Sequence, residues 1–148
     1  MDLSSLSRCL RKNWTLGDNN VRLLLDTHAL LWWYSDDPAL PTSSRKLMSQ
    51  PDTSIFVSAA SAWEIATKFR LGRLSSASEL VQDFGGYLSR EKFVSLPVTY
   101  EHGVRAGMLP GPHQDPFDRM LIAQAELEKL FVVSNEKIFE QYGVRRVW

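Results

Sequence analysis

The chain has 148 residues, 44% of them hydrophobic, with 17 basic and 17 acidic side chains and no formal net charge. That length suits one domain with a real core, the composition excludes a disordered chain, and no global positive field announces a nucleic-acid binder, although a local basic patch stays open. The single cysteine, Cys9, excludes an internal disulfide and fits a reducing cytosol. No apolar run nears the roughly 20 residues that span a bilayer, and Arg8, Arg11 and Lys12 have no apolar segment behind them to make a signal peptide.

Residues 1–20, "MDLSSLSRCLRKNWTLGDNN", are polar and mixed in charge, and read as a loose extension before a domain over 21–148. A translation start at Val21 is one explanation. "RLLLD" (22–26) predicts a strand, and 27–34 and 43–49 predict helices separated by Asp36-Asp37-Pro38. "TSIFVSA" (53–59) is β-branched and aromatic and predicts a second strand. In "SAWEIATKFRLG", Ala62, Ile65, Ala66 and Phe69 fall at helical spacing, and Gly72 is a natural stop. A helix over 77–89, a strand over 92–98 and a short helix over 99–107 come next. "LPGPHQDP" (109–116) is a loop, because its prolines and glycine cannot continue a regular element. The strongest helical pattern runs over 116–130, followed by a strand at 131–134, a helix at 136–142 and a strand at 144–148. Alternating strands and helices predict an α/β fold, a three-layer α/β/α domain around a parallel sheet.

In such sheets, sites form beyond the carboxyl ends of the strands. Asp26 follows the first strand, Glu64 lies early in the helix after the second, Asp115 and Asp118 open the long helix, and Glu136 follows the strand at 131–134. Each also has a local role. Asp26 can cap its helix. Glu64 precedes Lys68 by four residues, an ordinary pair worth about 0.2–0.5 kcal/mol. Asp115 before Pro116 is a good cap, and Asp118 and Glu136 suit a first helical turn. These local roles do not explain why acids recur at one rim. Several carboxylates in one place repel, and some take up protons unless a cation neutralises them. Oxygen-only ligands suit Mg²⁺ or Mn²⁺, and no Cys/His spacing suggests zinc. Carboxylate-bound Mg²⁺ is the usual apparatus of phosphate-ester hydrolysis, so the pattern predicts a metal-dependent phosphodiesterase or nuclease.

Four motifs carry a resemblance: "LLLDTHALLWW" (23–33), "SAASAWEIATKFRLGRL" (58–74), "LPGPHQDPFDRMLIAQA" (109–125) and "VVSNEKIFEQYGVRRVW" (132–148). In order and spacing, across nearly all of the chain from residue 21, they resemble the PIN-domain ribonucleases and, within them, the VapC-type toxins of toxin–antitoxin pairs. The resemblance implies an RNA-cleaving α/β/α domain that uses Mg²⁺ or Mn²⁺, is held inactive by a cognate antitoxin protein and commonly forms a homodimer in the cytoplasm. Position by position it implies Asp26, Glu64 and Asp118 as catalytic metal ligands. It implies Glu136 as a further metal residue, standing where the family usually has aspartate, with its carboxylate carried farther out by the extra methylene. Asp115 ligates through water or caps the helix; Thr27, Ser58 and Ser134 are hydroxyls able to orient the acids.

Lys68, Arg70, Arg73 and Arg119 offer a basic rim for RNA phosphates, or a solvated helix face. His113 lies in a loop suited to an acid/base role, the blander reading being a solvated residue. Trp32, Trp33 and Tyr34 cannot all face one way on a helix, so at least one is expected to meet solvent, an antitoxin helix or a second copy. Two other readings compete. A receiver-like signalling domain also gathers strand-end acids, but wants an acid pair after the first strand and a late lysine, which this chain lacks. A catalytically weak PIN-like domain that only binds a protein partner is the other.

Overall fold

The computed structural model describes residues 20–148, so the expected N-terminal extension, with Cys9, lies outside the described residues except for Asn20. Among the described residues a five-stranded sheet forms from β1 (Val21–Leu25), β2 (Thr53–Ser58), β3 (Val94–Leu96), β4 (Phe131–Val133) and β5 (Arg146–Val147), in the order β3-β2-β1-β4-β5. Every pairing is parallel. β1 is central, which explains its unbroken apolar run: a strand covered on both faces has no solvent side to mark with polar residues. Its alternation still sorts the core. Leu23 and Leu25 face one cluster with Ile55, Val57 and Val133, while Leu24 faces the other with Val132.

The first cluster is covered by α1 (Thr27–Tyr34), α2 (Thr42–Met48), α3 (Ala59–Arg70), a 3₁₀ turn (Ser75–Ala77), α4 (Ser78–Gln82) and α5 (Phe84–Glu91). The second cluster takes Leu121, Ile122 and Ala125 from α7 (Pro116–Glu128) and Phe139 from α8 (Ile138–Gln141). α6 (Tyr100–Met108) lies against α7, pinned by buried His102. There Thr99 N–H donates to His102 Nδ1 (3.0 Å), which leaves Nε2 to donate to Glu128 (2.9 Å). The expected three-layer α/β/α arrangement is the one observed. No helix among the described residues is long and apolar enough to cross a membrane.

Several expected element bounds shift. The helix expected over 77–89 breaks at Asp83, whose backbone (φ −141°, ψ 59°) leaves the helical region. Its carboxylate instead accepts from Gly86 N–H at 3.1 Å and starts α5. A Cβ at residue 86 would sit 2.1 Å from that carboxylate, so a larger residue there would displace the Asp83 side chain. The periodicity of Leu80, Val81, Phe84 and Leu88 reads straight through this break, because the two helices share one buried face. The strand expected over 92–98 shrinks to Val94–Leu96: Lys92 is left-handed (φ 58°), and Pro97 has no N–H to give. β5 and α8 are likewise shorter than expected. The aromatic triple of α1 is half-buried on the core, and each ring finds an intramolecular partner. Trp32 lies between His28 and Trp148, Trp33 donates to Glu91 (3.1 Å), and Tyr34 meets Tyr87 edge-on.

Candidate active site

The order β3-β2-β1-β4-β5 makes the β1–β4 boundary a topological switch point, where connections leave toward opposite edges and a crevice opens. Strand register aligns the residues just beyond the carboxyl ends. Leu25 pairs with both Val57 and Val133, so Asp26, Ser58 and Ser134 emerge at one level. Asp26 N–H donates to Val133 O (3.1 Å), closing the seam. A cavity of about 210 Å³ opens there, lined by Asp26, Glu64, Asp115, Asp118 and Glu136 together with Thr27, His28 and Lys68. Every acid singled out in the sequence reaches it.

The local and the collective readings of these acids coexist. Asp26 caps α1, accepting from Ala29 N–H at 2.7 Å, yet it also lines the cavity while only 4% exposed. Burial pushes its carboxyl up to about 6, against the opposing hydrogen bonds of Ser134 and Ala29; nearby Asp118 adds to the rise. Glu64, 8% exposed, accepts from the Thr27 hydroxyl (2.7 Å) and pairs with Lys68 Nζ (2.5 Å). Asp118 accepts from His113 Nε2 (2.9 Å), so His113 is more than a solvated loop residue. Burial raises the Asp118 carboxyl above the ordinary range; the His113 bond opposes this, while Asp115 and Glu64 add to it. Asp115 is a cap, accepting from Phe117 N–H (2.9 Å) and Asp118 N–H (3.1 Å), and it lines the cavity as well. Ser134 is buried, bonds Asp26 and accepts from Glu136 N–H (2.9 Å), so one hydroxyl orients two cavity elements.

Among the described residues, no three carboxylate or imidazole groups stand close enough to hold a cation as arranged. Lys68 and His113 supply positive or donor partners to Glu64 and Asp118 instead. The donor set still fits a hard divalent cation. It is all oxygen, and it includes two buried carboxyls, Asp26 and Glu64, of which Asp26 has no cationic side chain paired with it among the described residues, so that its charge is costly without a counterion.

Two sequence expectations change place, and one residue is new to the site. Arg119, expected on an RNA-facing rim, donates from Nε to Ala106 O (3.0 Å), from Nη1 to His113 O (2.9 Å), and from Nη2 to Gly107 O (3.3 Å) and Leu109 O (2.7 Å). It is a clamp on the last turn of α6 and the loop after it, whose carbonyls lack helical partners. Arg73 is exposed and lies outside the cavity lining, whereas Lys68 lines it. His28 was not singled out for a role, yet it lines the cavity, stacked on Trp32 at 5.5 Å. Its position two residues after Asp26, in the first turn of α1, was the available signal. A larger groove of about 610 Å³ lies beyond His113, walled by Leu109, Pro112, Ile138 and Tyr142 and lined by no carboxylate, so volume does not locate the chemistry.

Comparison with known proteins identifies the lineage. The PIN domain profile matches residues 23–144. VapBC2 from Rickettsia felis, solved bound to a DNA fragment from its promoter, is 15% identical, covering 86% of this chain and 98% of that one, with TM-score 0.66. FitAcB from Neisseria gonorrhoeae is 16% identical over 85% and 96% (TM-score 0.59). VapBC-1 from nontypeable Haemophilus influenzae is 13% identical over 86% and 97% (TM-score 0.57). No curated protein sequence matches the chain. With its switch-point crevice ringed by acids, on a fold shared with these structures and under a profile spanning most of its length, the chain belongs to the PIN domain family.

Proposed function

We propose that this chain is a divalent-metal-dependent endoribonuclease acting as the toxin of a toxin–antitoxin pair. The observation that carries the reading is the convergence of five carboxylates from four segments of the chain on one cavity of about 210 Å³ at the switch point. Asp26, Glu64 and Asp118 would hold Mg²⁺ or Mn²⁺, with Glu136 and Asp115 outside them. Bound there, the ion would supply Lewis-acid polarisation of a phosphoryl oxygen and an activated water, leaving a 5′-phosphate and a 3′-hydroxyl. The chain's own groups set the stage. Ser134 and Thr27 orient Asp26 and Glu64 by donating to them. Lys68 holds Glu64 and lies where a phosphate would enter. His113 aims Asp118 from the loop side.

The partner reading follows from the same family resemblance: an antitoxin protein that covers the cavity, and a second copy of the chain. α6 offers a face for that copy. Tyr100, Val104 and Met108, spaced four residues apart, are 79%, 64% and 74% exposed on one helical stripe. A cytoplasmic location fits this pairing.

The test is direct. Purified chain with Mn²⁺ is expected to cut RNA and to stop on adding EDTA. The Asp26→Asn, Asp118→Asn double variant should lose at least about a thousandfold in rate, roughly 4 kcal/mol. Cleavage by that variant at the wild-type rate overturns the reading.

A further inference from the structure

Beside the acid cavity stands an aromatic pair without a structural purpose in the core. Trp63 immediately precedes Glu64 on α3, and Phe117 immediately precedes Asp118 on α7. Their rings meet edge to face, centroids 5.0 Å apart at 65°. Of the four tryptophans among the described residues, Trp32, Trp33 and Trp148 are half-buried, and Trp63 alone is exposed, at 64%. An indole so placed contributes little to folding through burial, yet its contact with Phe117 holds the ring in one orientation.

We propose that Trp63, braced by Phe117, is a stacking shelf for an unpaired base of single-stranded RNA next to the bond that is cut. The inference rests on the ribonuclease reading above and names how that site grips its substrate. Trp63 and Phe117 flank the cavity lining without entering it, each one residue from a carboxylate in it, and the shelf would take the base next to a phosphate held in the cavity. The surrounding charge suits a nucleic-acid strand. Lys68 lines the cavity one helical turn beyond Glu64, and Arg70 and Arg73 are exposed at the end of the same helix. Aromatic faces accept any base, and a preoriented ring loses little freedom on stacking. A second copy of the chain is better served by the stripe of Tyr100, Val104 and Met108, whose neighbouring cation, Arg105, is already paired with Glu126 (2.6 Å).

The test reads binding, not cleavage. A fluorescein-labelled single-stranded oligoribonucleotide is titrated with full-length chain carrying Asp26→Asn and Asp118→Asn, with Trp63 intact or replaced, and sedimentation velocity follows each protein. Trp63→Ala should weaken binding by about 5- to 150-fold, the range that stacking of one base supplies, while Trp63→Phe keeps most of it. Replacing one nucleotide of the RNA by an abasic unit should abolish the difference between the protein with Trp63 intact and its Trp63→Ala counterpart, and all should sediment alike. Tight binding that Trp63→Ala leaves unchanged sinks the shelf alone. A change of oligomeric state in Trp63→Ala, with RNA affinity preserved, assigns the pair to a protein interface and likewise sinks it. No binding by the protein with Trp63 intact sinks the shelf, and the Mn²⁺ cleavage assay on the unsubstituted chain decides the ribonuclease reading separately.

Discussion

The two sides of the acid cavity are built on opposite principles. On the inner side, Asp26 and Glu64 are buried to 4% and 8% exposure and held by the hydroxyls of Ser134 and Thr27. They grow from a central strand and from a helix directly behind it. On the outer side, the Asp118 side chain is 30% exposed, and Asp115 and Glu136 are exposed surface groups. Asp115 and Asp118 depend on a loop that has no regular structure and is tied down by side chains. The inner side shows how a sheet fixes charge at an electrostatic cost; the outer side shows how access is kept at a cost in loop order instead.

If the loop is what keeps the outer side in place, Arg119→Ala should strike hardest at folding. It removes a guanidinium from four main-chain carbonyls, and a loss of about 2–4 kcal/mol in denaturant unfolding is expected, with the loop 109–115 becoming protease-sensitive. An unchanged midpoint would mean the loop orders itself.

The inner side makes the opposite prediction, a gain. Asp26 ionises near 6 in the folded chain but near 3.8 when unfolded. Between those values the folded state keeps a proton that the unfolded chain has released, so stability falls as pH rises through that window and stays lower above it. Asp26→Asn, which caps a helix as well as Asp, should therefore stabilise the metal-free protein by about 3 kcal/mol at pH 8 and by nothing at pH 3. Added Mn²⁺ should erase the advantage by stabilising the wild type. Equal stability of the two proteins at pH 8 would show that Asp26 is not strained.

The smallest effect belongs to Glu136. It is exposed and anchored only by its backbone N–H on Ser134, so Glu136→Gln should cost less than about tenfold in RNA cleavage, roughly 1.4 kcal/mol at most. A loss matching that of the Asp26 and Asp118 changes would move it to the inner group and dissolve the contrast.

The features that were legible in the chain are local. The apolar run of β1 ending in Asp26, the Asp115-Pro116 cap and the four-residue spacing of Glu64 and Lys68 each depend on neighbours within one turn or one strand, and all three stand in the structure. That Asp26, Glu64 and Glu136 share a rim also followed from chain order, since parallel strands joined by helices present all their carboxyl ends on one side; Asp115 and Asp118 reach it from the loop after α6. Tertiary structure alone decided the rest. Arg119 looks like any exposed arginine until the end of α6 and the loop after it offer it carbonyls. His113 finds Asp118, Asp83 breaks a helix that periodicity joins, and Trp63 stays in solvent while the other described tryptophans find the core. A side chain's partner across the fold depends on where distant backbone runs, and no spacing along the chain carries that distance.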